Sequence, residues 1–406
     1  MDTTGIKFID ELDLSEKTVF IRVDFNVPLD EDGNVTDDTR IRAALPTIDH
    51  AMKAGAKVIL ASHLGRPKGK PDPKLSLEPV GDELAGWLDC EVIFPEETTG
   101  EFVKKLITDM RAKDQVMLLE NLRFNPGEKG GDDAFAAELA ELADVYVNDA
   151  FGTSHRKHAS MYHIAKHFDR NSKAAGFLIK NEIKKLGGLV ERKTKNFTAI
   201  MGGAKVSDKL GVLDTLIERV SNVLIGGAMA YTFLKAMGIE VGSSMVEKDF
   251  LRQADAIMQK AERRGVNFHL PVDHVVAESM DAPDDQVETT ERREIPAGKA
   301  AYDIGPKTID NYETTIDNSA TIFWNGPMGV FERDVFAKGT MAIAHAIAES
   351  GAFSVIGGGD SASAVNKAGV TDKITHVSTG GGASLQMVEG KPLPGIEALR
   401  ANYPFE

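Results

Sequence analysis

The sequence predicts an α/β fold built on two doubly wound parallel sheets. Short, apolar, β-branched runs alternate along the chain with longer segments of helical periodicity. This alternation is typical of parallel strands covered by helices. A chain of 406 residues is also long enough for two domains of roughly 100–200 residues each. Because the runs outnumber the strands that one compact sheet usually holds, we expect two Rossmann-like domains joined by a helix and hinge.

Each predicted strand is a short apolar run bounded by polar or glycine-rich segments. In the first half these runs are Thr18–Val23, Lys57–Ala61, Glu91–Phe94, Gln115–Leu119 and Asp144–Val147. In the second half they are Phe197–Met201, Asn222–Ile225, Asn267–Pro271, Ala320–Trp324, Phe353–Ile356 and Lys373–Val377. Stretches such as Asp132–Ala143 and Lys248–Arg264 are rich in Ala, Leu, Glu and Lys at helical spacing and predict helices.

The domain boundary is expected near Gly176–Glu191, a segment with helical periodicity. We therefore assign residues 1–172 to a first domain, 173–190 to the connecting helix and hinge, and 191–389 to a second domain. Within the helix, Gly187-Gly188 offers a low-cost place for backbone rotation. Ser378–Ser384 is a second candidate for the hinge.

Composition excludes several classes of protein. Lysine and arginine number 47 and aspartate and glutamate 62, so the formal charge of −15 argues against binding to nucleic acid or to an anionic membrane. No apolar run approaches the about 20 residues of a membrane span. The single cysteine, Cys90, excludes an internal disulfide and a multi-cysteine zinc site. We expect a cytoplasmic protein.

Cationic side chains follow the predicted strands of the first half. Ligands of open parallel sheets bind outside the carboxyl ends of the strands, and these ends carry Asp24, Asn26, His63, Arg66 and Arg123, with Arg40 and Arg156 close behind. Arginine matches phosphate and carboxylate oxygens bidentately. Although one arginine would normally only solvate the surface, four of them at strand ends predict a site for a small, highly anionic molecule.

Glycine-rich turns occupy the equivalent positions in the second half. They contain Gly203, Gly227, Gly326-Pro327, Gly358–Ser361 and Gly380–Gly382. Such turns let backbone N–H groups approach phosphate oxygens, so together they predict a polyphosphate site, although tight turns alone could explain one or two of them. Lys205 and Lys209 lie four residues apart and are expected to share a helix face. Asp360, beside the triple glycine, is a natural Mg²⁺ ligand.

Other motifs are weaker. Gly357-x-Gly359-x-x-Ala362 matches the dinucleotide-binding fingerprint, but the next predicted strand lacks the acid that would hold a ribose. A Walker A motif and the signatures of protein kinases do not occur in the sequence. Four histidines fall between His155 and His167, and zinc binding by them stays an alternative to a polar helix face.

Eight sequence blocks, in order from Asp24 to Ser384, resemble the phosphoglycerate kinase family. The blocks are VDFNVPL (23–29), SHLGRPKG (62–69), LLENLRF (118–124), NDAFGTSHR (148–156), GGAKVSDK (202–209), WNGPMGVFE (324–332), GGGDS (357–361) and STGGGAS (378–384). The resemblance covers nearly the whole chain. It implies reversible glycolytic phosphoryl transfer from 1,3-bisphosphoglycerate to MgADP, giving 3-phosphoglycerate and MgATP, by in-line transfer after domain closure. It also implies a monomer.

The resemblance assigns roles residue by residue. The first domain, with residues 390–406 packed back on it, would bind 3-phosphoglycerate through Asp24, Asn26, Arg40, His63, Arg66, Arg123 and Arg156. The second would bind Mg²⁺ and ADP or ATP through Gly203, Lys205, Lys209, Gly227, Pro327, Glu332, Gly358, Gly359, Asp360 and Ser361, with Asp360 on the metal. Arg40, Lys205, Gly359 and Gly381 would act on the transferred phosphoryl group.

One departure from the family pattern is Ser154-His155-Arg156-Lys157, where alanine is expected before the histidine and a small residue after the arginine. The arginine is retained, so only the local packing and field are affected. A binding protein without catalytic activity on the same scaffold is the alternative. Arg40, Lys205 and Asp360, the residues such a protein would lose first, are present.

Overall fold

The computed structural model describes residues 2–191 and 196–405. The chain forms two compact units. Unit 1 contains Met1–Lys184 together with Pro392–Glu406, and unit 2 contains Lys185–Lys391. The chain thus enters unit 2 once and returns to unit 1 once.

Unit 1 is built on a six-stranded parallel sheet. Its strands are β1 (Thr18–Arg22), β2 (Lys57–Ala61), β3 (Glu91–Ile93), β4 (Gln115–Leu118), β5 (Val145–Asn148) and β6 (Lys173–Ala175), and its helices are α1 (Thr39–Lys53), α2 (Glu78–Trp87), α3 (Glu101–Asp109), α4 (Pro126–Gly130) and α5 (Asp133–Ala140). Helix α6 (Phe177–Glu191) begins in unit 1 and ends in unit 2. The strand order is β3-β4-β2-β1-β5-β6. The order reverses between β1 and β5, which places the expected ligand crevice at their carboxyl ends.

Consecutive residues of β1 are buried from Val19 to Arg22, as are those of β2 from Val58 to Ala61. Because successive side chains point to opposite faces, both faces of this sheet are covered. The main core contains Val19, Ile21, Ile41, Val58 and Leu60.

Unit 2 repeats this plan. Its first elements are β7 (Phe197–Met201), α7 (Leu210–Leu216), β8 (Asn222–Ile225), α8 (Met229–Ala236), α9 (Leu251–Arg264) and β9 (Asn267–His269). After three further strands come α10 (Pro306–Asp317), β13 (Thr321–Asn325), α11 (Lys338–Glu349), β14 (Phe353–Gly357), α12 (Gly359–Lys367), β15 (His376–Val377) and α13 (Gly381–Val388). The parallel sheet has the order β15-β14-β13-β7-β8-β9 and reverses between β7 and β13. The predicted fold class is confirmed.

A small antiparallel sheet in unit 2 was not predicted. It contains β10 (His274–Ala277), β11 (Glu288–Thr289) and β12 (Ala300–Ile304) in the order β11-β10-β12. These strands are short, and β11 is exposed, so their apolar pattern is weak. Its own small core contains Val275, Ala277 and the fully buried Phe336.

Three predicted strands, Lys57–Ala61, Phe197–Met201 and Asn222–Ile225, have the observed bounds. Strand β6 was missed because it has only three residues and begins with a lysine. The prediction of a strand over Lys373–Val377 was wrong at its start, where Thr371–Lys373 forms a 3₁₀ turn. The predicted hinge pair Gly187-Gly188 lies inside helix α6.

Residues beyond Lys391 complete unit 1 through α14 (Pro394–Glu397) and the segment after it. The side-chain amide of Asn148, at the end of β5, donates to Gly395 O at 2.9 Å. The buried ammonium of Lys173 donates to Ala398 O at 2.9 Å. In the described part of the chain, no helix has the length and apolar character needed to span a membrane.

Candidate active site

Asp24 and Arg40 meet at the carboxyl end of β1. Asp24 follows the strand closely and is 9% exposed, and Arg40 is the second residue of helix α1. Arg40 Nη1 lies 3.1 Å from Asp24 Oδ2. The other carboxylate oxygen, Asp24 Oδ1, is buried and has no hydrogen-bond partner. The two residues are therefore brought together, with one acceptor left unused.

His63 is buried against these two groups. Its Nδ1 lies 3.2 Å from Arg22 Nη2 and 3.8 Å from Asp24 Oδ1. Burial, with the positive charges of Arg22, Arg123 and Arg40, lowers the pKa of His63 well below its usual value. The ring is therefore neutral at pH 7. Because a guanidinium can only donate, Nδ1 accepts from Arg22 and the ring proton is carried on Nε2.

Arg123 and Asn26 are connected through one glycine. Arg123 Nη1 donates to Gly65 O at 2.6 Å, and Gly65 N donates to Asn26 Oδ1 at 2.8 Å. Burial and the charges of Arg22 and Arg156 lower the pKa of Arg123 to about 10. The guanidinium remains charged at neutral pH, yet its Nε is buried and has no hydrogen-bond partner.

Arg66 and Arg156 are exposed at the same sheet edge. Arg156 Nε lies 3.2 Å from His155 Nε2. Burial lowers the pKa of His155, and burial with the neighbouring arginines lowers that of His158 to about 3, so both rings are neutral at pH 7. In the described residues, buried side-chain atoms without a partner include four in this cluster: Asp24 Oδ1, Arg123 Nε, His155 Nδ1 and His158 Nδ1. Such groups are costly to leave unsatisfied. The unused Arg123 Nε is a cationic donor that suits an anionic ligand, and the unused Asp24 Oδ1 is an acceptor that suits a hydroxyl group on it.

Sequence reasoning missed Arg22, which is 0% exposed and lies beneath the site. Its Nε donates to Ser160 Oγ at 2.9 Å, and that hydroxyl donates to Glu128 Oε1 at 2.7 Å. Glu128 is itself 0% exposed. An arginine inside an otherwise apolar run was the available signal. Its acidic counterpart, more than a hundred residues away, could not be identified from the sequence.

The clustered histidines have separate partners. His163 Nδ1 lies 2.7 Å from Asp133 Oδ1, whereas His158 Nδ1 lies 3.8 Å from Glu128 Oε1. Among the described residues, no group of three or more His, Cys, Asp or Glu side chains is arranged to hold a metal ion.

In unit 2, the turns after β7, β8 and β13 pack on one another. Gly203 N donates to Pro327 O at 2.9 Å and Gly227 N donates to Met328 O at 2.8 Å. A Cβ on Gly326 would lie 2.2 Å from Gly202 O, and the φ of +99° at Gly326 also favours glycine. Backbone packing thus accounts for these glycines, and their N–H groups are already used within the fold.

The turns after β14 and β15 are different. Helix α12 begins at Gly359 and helix α13 at Gly381, and a Cβ on Gly381 would lie 3.9 Å from Gly358 Cα. A Cβ on Gly359 would meet nothing within 4 Å. Two helix N-termini, each with unsatisfied N–H groups, therefore open side by side on accessible space. Ser361, fully buried, holds the arrangement by accepting from Gly326 N at 2.6 Å.

The lysines of GGAKVSDK do not share a helix face, so that prediction was wrong. Helix α7 begins only at Leu210, and Lys205 and Lys209 lie in the turn before it. Lys205 is exposed. Lys209 is half-buried and its ammonium donates to Asn325 Oδ1. Burial lowers the pKa of Lys209, while the carboxylate of Asp360 opposes that shift.

Asp360 and Glu332 are both exposed acids of unit 2. Asp360 is in the first turn of α12. Glu332 belongs to the segment between β13 and α11, whose buried members Phe331 and Phe336 fix it to the fold. Mg²⁺ is bound in proteins through one or two carboxylates, with water and substrate phosphates completing the shell. An exposed Asp360 beside a helix N-terminus and Lys209 fits that requirement.

The family model described as phosphoglycerate kinase matches residues 9–391. The chain belongs to the phosphoglycerate kinase family. The phosphoglycerate kinase of Anaeromyxobacter dehalogenans (strain 2CP-C) is 55% identical over 396 residues, covering 97% of this chain and 99% of that protein. That of Koribacter versatilis (strain Ellin345) is 54% identical over 403 residues, covering 96% and 98%.

Solved structures agree. The phosphoglycerate kinase of Coxiella burnetii superposes with a TM-score of 0.83 at 37% identity, covering 98% of this chain and 100% of that one. That of Pyrococcus horikoshii OT3 gives a TM-score of 0.84 at 33% identity, covering 97% and 98%. The chain is a phosphotransferase that catalyses the glycolytic exchange of a phosphoryl group between 1,3-bisphosphoglycerate and ADP, giving 3-phosphoglycerate and ATP.

Proposed function

We propose that unit 1 binds the glycerate substrate and unit 2 binds the nucleotide. The observation that carries this division is the contrast between the two strand edges. Unit 1 presents a cluster of arginines with buried, unpartnered polar atoms. Unit 2 presents two adjacent glycine helix N-termini with a lysine and an exposed carboxylate. The first suits a compact, multiply charged anion, and the second suits a chain of phosphates with its metal.

In unit 1, we assign 3-phosphoglycerate to Asp24, Asn26, Arg40, His63, Arg66, Arg123 and Arg156. His63 and Arg123 hold the phosphate distant from the reaction. Neutral His63 offers an Nε2–H donor, and Arg123 has an unpartnered Nε. Asp24 is an acceptor for the substrate hydroxyl through its unused Oδ1. Asn26 shapes this site indirectly, since its side-chain oxygen already accepts from Gly65 N.

In unit 2, the nucleotide phosphates are assigned to the N-termini of α12 and α13, at Gly358–Ser361 and Gly381, and to Lys205 and Lys209. Glu332 contacts the remainder of the nucleotide. Gly203, Gly227 and Pro327 keep their place in the proposed site as its floor, because their backbone groups are engaged with one another. Asp360 would hold Mg²⁺, which supplies charge neutralisation on the nucleotide phosphates.

The reaction requires no general base in the direction that consumes ATP. The nucleophile is the substrate carboxylate, and carboxylates with a pKa of about 4 are ionised at pH 7. The protein has to orient the reactants and neutralise the equatorial oxygens of the transferring group. We assign Arg40 of unit 1 and Lys205 of unit 2 to that task, together with the N–H groups at Gly359 and Gly381. Water must be excluded while transfer occurs, since otherwise ATP would be hydrolysed.

Because in-line transfer needs both substrates at one place, we infer that the units close when both are bound. A single substrate touches one unit and so has little differential affinity for a closed state. Small-angle scattering on the free protein, both binary complexes and the ternary complex with 3-phosphoglycerate and an unreactive MgATP analogue tests this. The radius of gyration should fall mainly in the ternary sample. Full compaction with one ligand would contradict the inference.

The division of substrates is tested by calorimetry on two full-length variants. Arg123→Met should weaken 3-phosphoglycerate binding at least tenfold and leave MgADP binding within twofold. Lys209→Met should have the reverse effect. If each variant affected the other ligand instead, the assignment of the units would be wrong.

We also propose a cytoplasmic monomer. Cys90 is partly buried and is a free thiol, the state in which a reducing compartment keeps cysteines. Light scattering after gel filtration should give a mass near the 43.9 kDa of one chain; twice that mass would contradict the proposal.

A further inference from the structure

The segment that carries Glu332 is held from two sides. Residues 330–336 belong to the connection between β13 and α11, and buried and exposed side chains are interspersed along them. Phe331 is buried in the main core of unit 2, whereas Glu332 is exposed. Val330 N donates to Tyr302 O at 2.8 Å, which fixes the start of the segment to strand β12. The residues on either side of Glu332 therefore determine where its carboxylate lies.

Lys367 holds one side. Its ammonium donates to Phe331 O and to Asp334 Oδ1, both at 2.9 Å. Lys367 is the last residue of α12, the helix whose first turn contains Gly359 and Asp360. One end of this helix thus carries the proposed phosphate and Mg²⁺ groups, and the other end holds the segment of Glu332.

Arg333 holds the other side. Its two terminal nitrogens each donate to Ala282 O at 3.1 Å, Nη2 lies 2.5 Å from Asp284 Oδ1, and Nη1 also donates to Met280 O. The guanidinium carbon lies 5.0 Å from the centre of the Phe336 ring. A planar fork that stacks on a ring and reaches several acceptors at once is specific to arginine, and lysine cannot reproduce it.

The acceptors of Arg333 lie in the connection between β10 and β11 of the antiparallel sheet. An exposed ion pair alone contributes little. Here, however, the same side chain also bonds two backbone carbonyls and covers a buried ring, so its position is fixed by several contacts at once. The antiparallel sheet thereby becomes a support for the segment that carries Glu332.

We propose that Arg333 is a positioning residue that sets nucleotide affinity by fixing the backbone beside Glu332. This rests on the proposed placement of Glu332 in the nucleotide site. Without the fork, the backbone beside Glu332 loses its contacts with the connection between β10 and β11 and keeps those of Lys367, Val330 N and the buried Phe331. Binding must then order the part of the backbone that the fork had fixed. Ordering one residue corresponds to about tenfold in affinity. The phosphate-binding helix ends are untouched, so the turnover number at saturating nucleotide should not change.

The test compares Arg333→Met with Arg252→Met, a matched control at an exposed position of helix α9. Calorimetry should show MgADP bound about tenfold more weakly by Arg333→Met, with 3-phosphoglycerate binding and kcat within twofold of wild type. Hydrogen exchange of amides 331–334 should be faster than in wild type in Arg333→Met and unchanged in the control Arg252→Met. Arg333→Lys keeps the charge without the fork, and its affinity for MgADP should still be at least threefold lower than that of wild type. It supplies a second variant if Arg333→Met folds poorly.

Glu332→Gln distinguishes the role of Glu332 in binding from the role of Arg333 in positioning it. If Glu332→Gln leaves the Kd for MgADP unchanged, the proposed role of Glu332 itself is wrong. If Glu332→Gln weakens binding but Arg333→Met and Arg333→Lys do not, the positioning role of Arg333 is refuted. If Arg333 acts through Glu332, the double variant Glu332→Gln/Arg333→Met should bind MgADP as tightly as whichever of the two single variants has the lower affinity. Fully additive losses would mean that Arg333 acts by another route.

Discussion

Asp149 follows strand β5 and is fully buried, with its carboxyl group at the N-terminus of helix α6. The stability of unit 1 should depend on the charge of this group. Its Oδ1 accepts from Ile179 N at 3.2 Å, and its Oδ2 is buried without a partner. Gly176 approaches so closely that a Cβ there would lie 2.3 Å from the carboxyl carbon. Burial raises the pKa of Asp149 to about 7, against the opposing hydrogen bonds from Thr47 and the helix N–H groups.

The direction in which stability changes with pH follows from the pKa of Asp149 in the folded and in the unfolded chain. In the unfolded chain the carboxyl loses its proton near pH 3.8, whereas in the folded protein it does so near pH 7. The folded state therefore binds more protons between these values, and the free energy of unfolding falls as pH rises through that window. Each pKa unit corresponds to about 1.4 kcal/mol. Between pH 5 and pH 8 this one group should lower stability by about 3 kcal/mol.

The variant Asp149→Asn retains an oxygen acceptor but cannot ionise. Its stability relative to wild type should therefore rise by about 3 kcal/mol between pH 5 and pH 8. Urea unfolding, followed by circular dichroism and by tryptophan fluorescence, measures this at half-unit steps of pH. Because the chain has two units, the two signals must be compared before a two-state fit is applied.

Glu141→Gln is the control. Glu141 is exposed in unit 1, and its hydrogen bond from Lys104 lowers its pKa, so it is ionised throughout pH 5–8. Its variant should follow the wild-type pH dependence. If Asp149→Asn also runs parallel to wild type over this range, Asp149 is ionised when buried and the reasoning is refuted.

Three further outcomes are expected. Arg40→Ala should lower kcat by about two to four orders of magnitude in a coupled assay, with MgADP affinity unchanged; a kcat within threefold of wild type would show that Arg40 has no role in transfer. Gly326→Ala should lower the free energy of unfolding in urea by about 2 kcal/mol or more, because the φ of Gly326 is +99° and the new Cβ would clash with Gly202 O. Gly359→Ala is the control and should be as stable as wild type, because its Cβ would face open space. Equal losses of stability in the two variants would contradict this reasoning. Lys173→Met leaves the carbonyls of Ala165 and Ala398 without their buried donor and should destabilise unit 1 by about 1–3 kcal/mol. The urea concentration at the midpoint of unfolding should therefore be lower than in wild type. An unchanged midpoint would show that water replaces the ammonium group.

Parallel strands were predictable because the apolar runs are continuous and end abruptly. Lys57–Ala61 is preceded by Gly55-Ala56 and followed by Ser62-His63, so both the strand and its bounds could be identified. The antiparallel strands were not predictable, since β11 has two exposed residues and β10 owes its burial to partners distant in the sequence. The spacing of Lys205 and Lys209 was compatible with a helix, but the chain forms turns there and the helix begins one residue later.

The candidate site was predictable to the extent that it lies at strand ends. Arg40 and Asp24 were identified from position alone, and the structure places them in contact. The glycine turns after β7 and β8 were interpreted as phosphate-binding, whereas their N–H groups donate within the fold. Sequence cannot separate a glycine that admits a ligand from one that admits another backbone. The contacts of Arg333 could not be predicted either, because its acceptors are mostly backbone carbonyls, which every residue carries.

The return of the chain to unit 1 has a consequence for biosynthesis. Unit 2 is continuous in sequence, from Lys185 to Lys391, whereas unit 1 needs Pro392 and the residues after it. On the ribosome, the unit whose residues begin to emerge first is therefore the last to be completed. Until Gly395 and Ala398 appear, the Asn148 amide and the Lys173 ammonium lack the carbonyls to which they donate. A chain that ends at Lys391 and has been released from the ribosome should hold a folded unit 2 and a protease-sensitive unit 1, the reverse of the usual order in which N-terminal domains fold first.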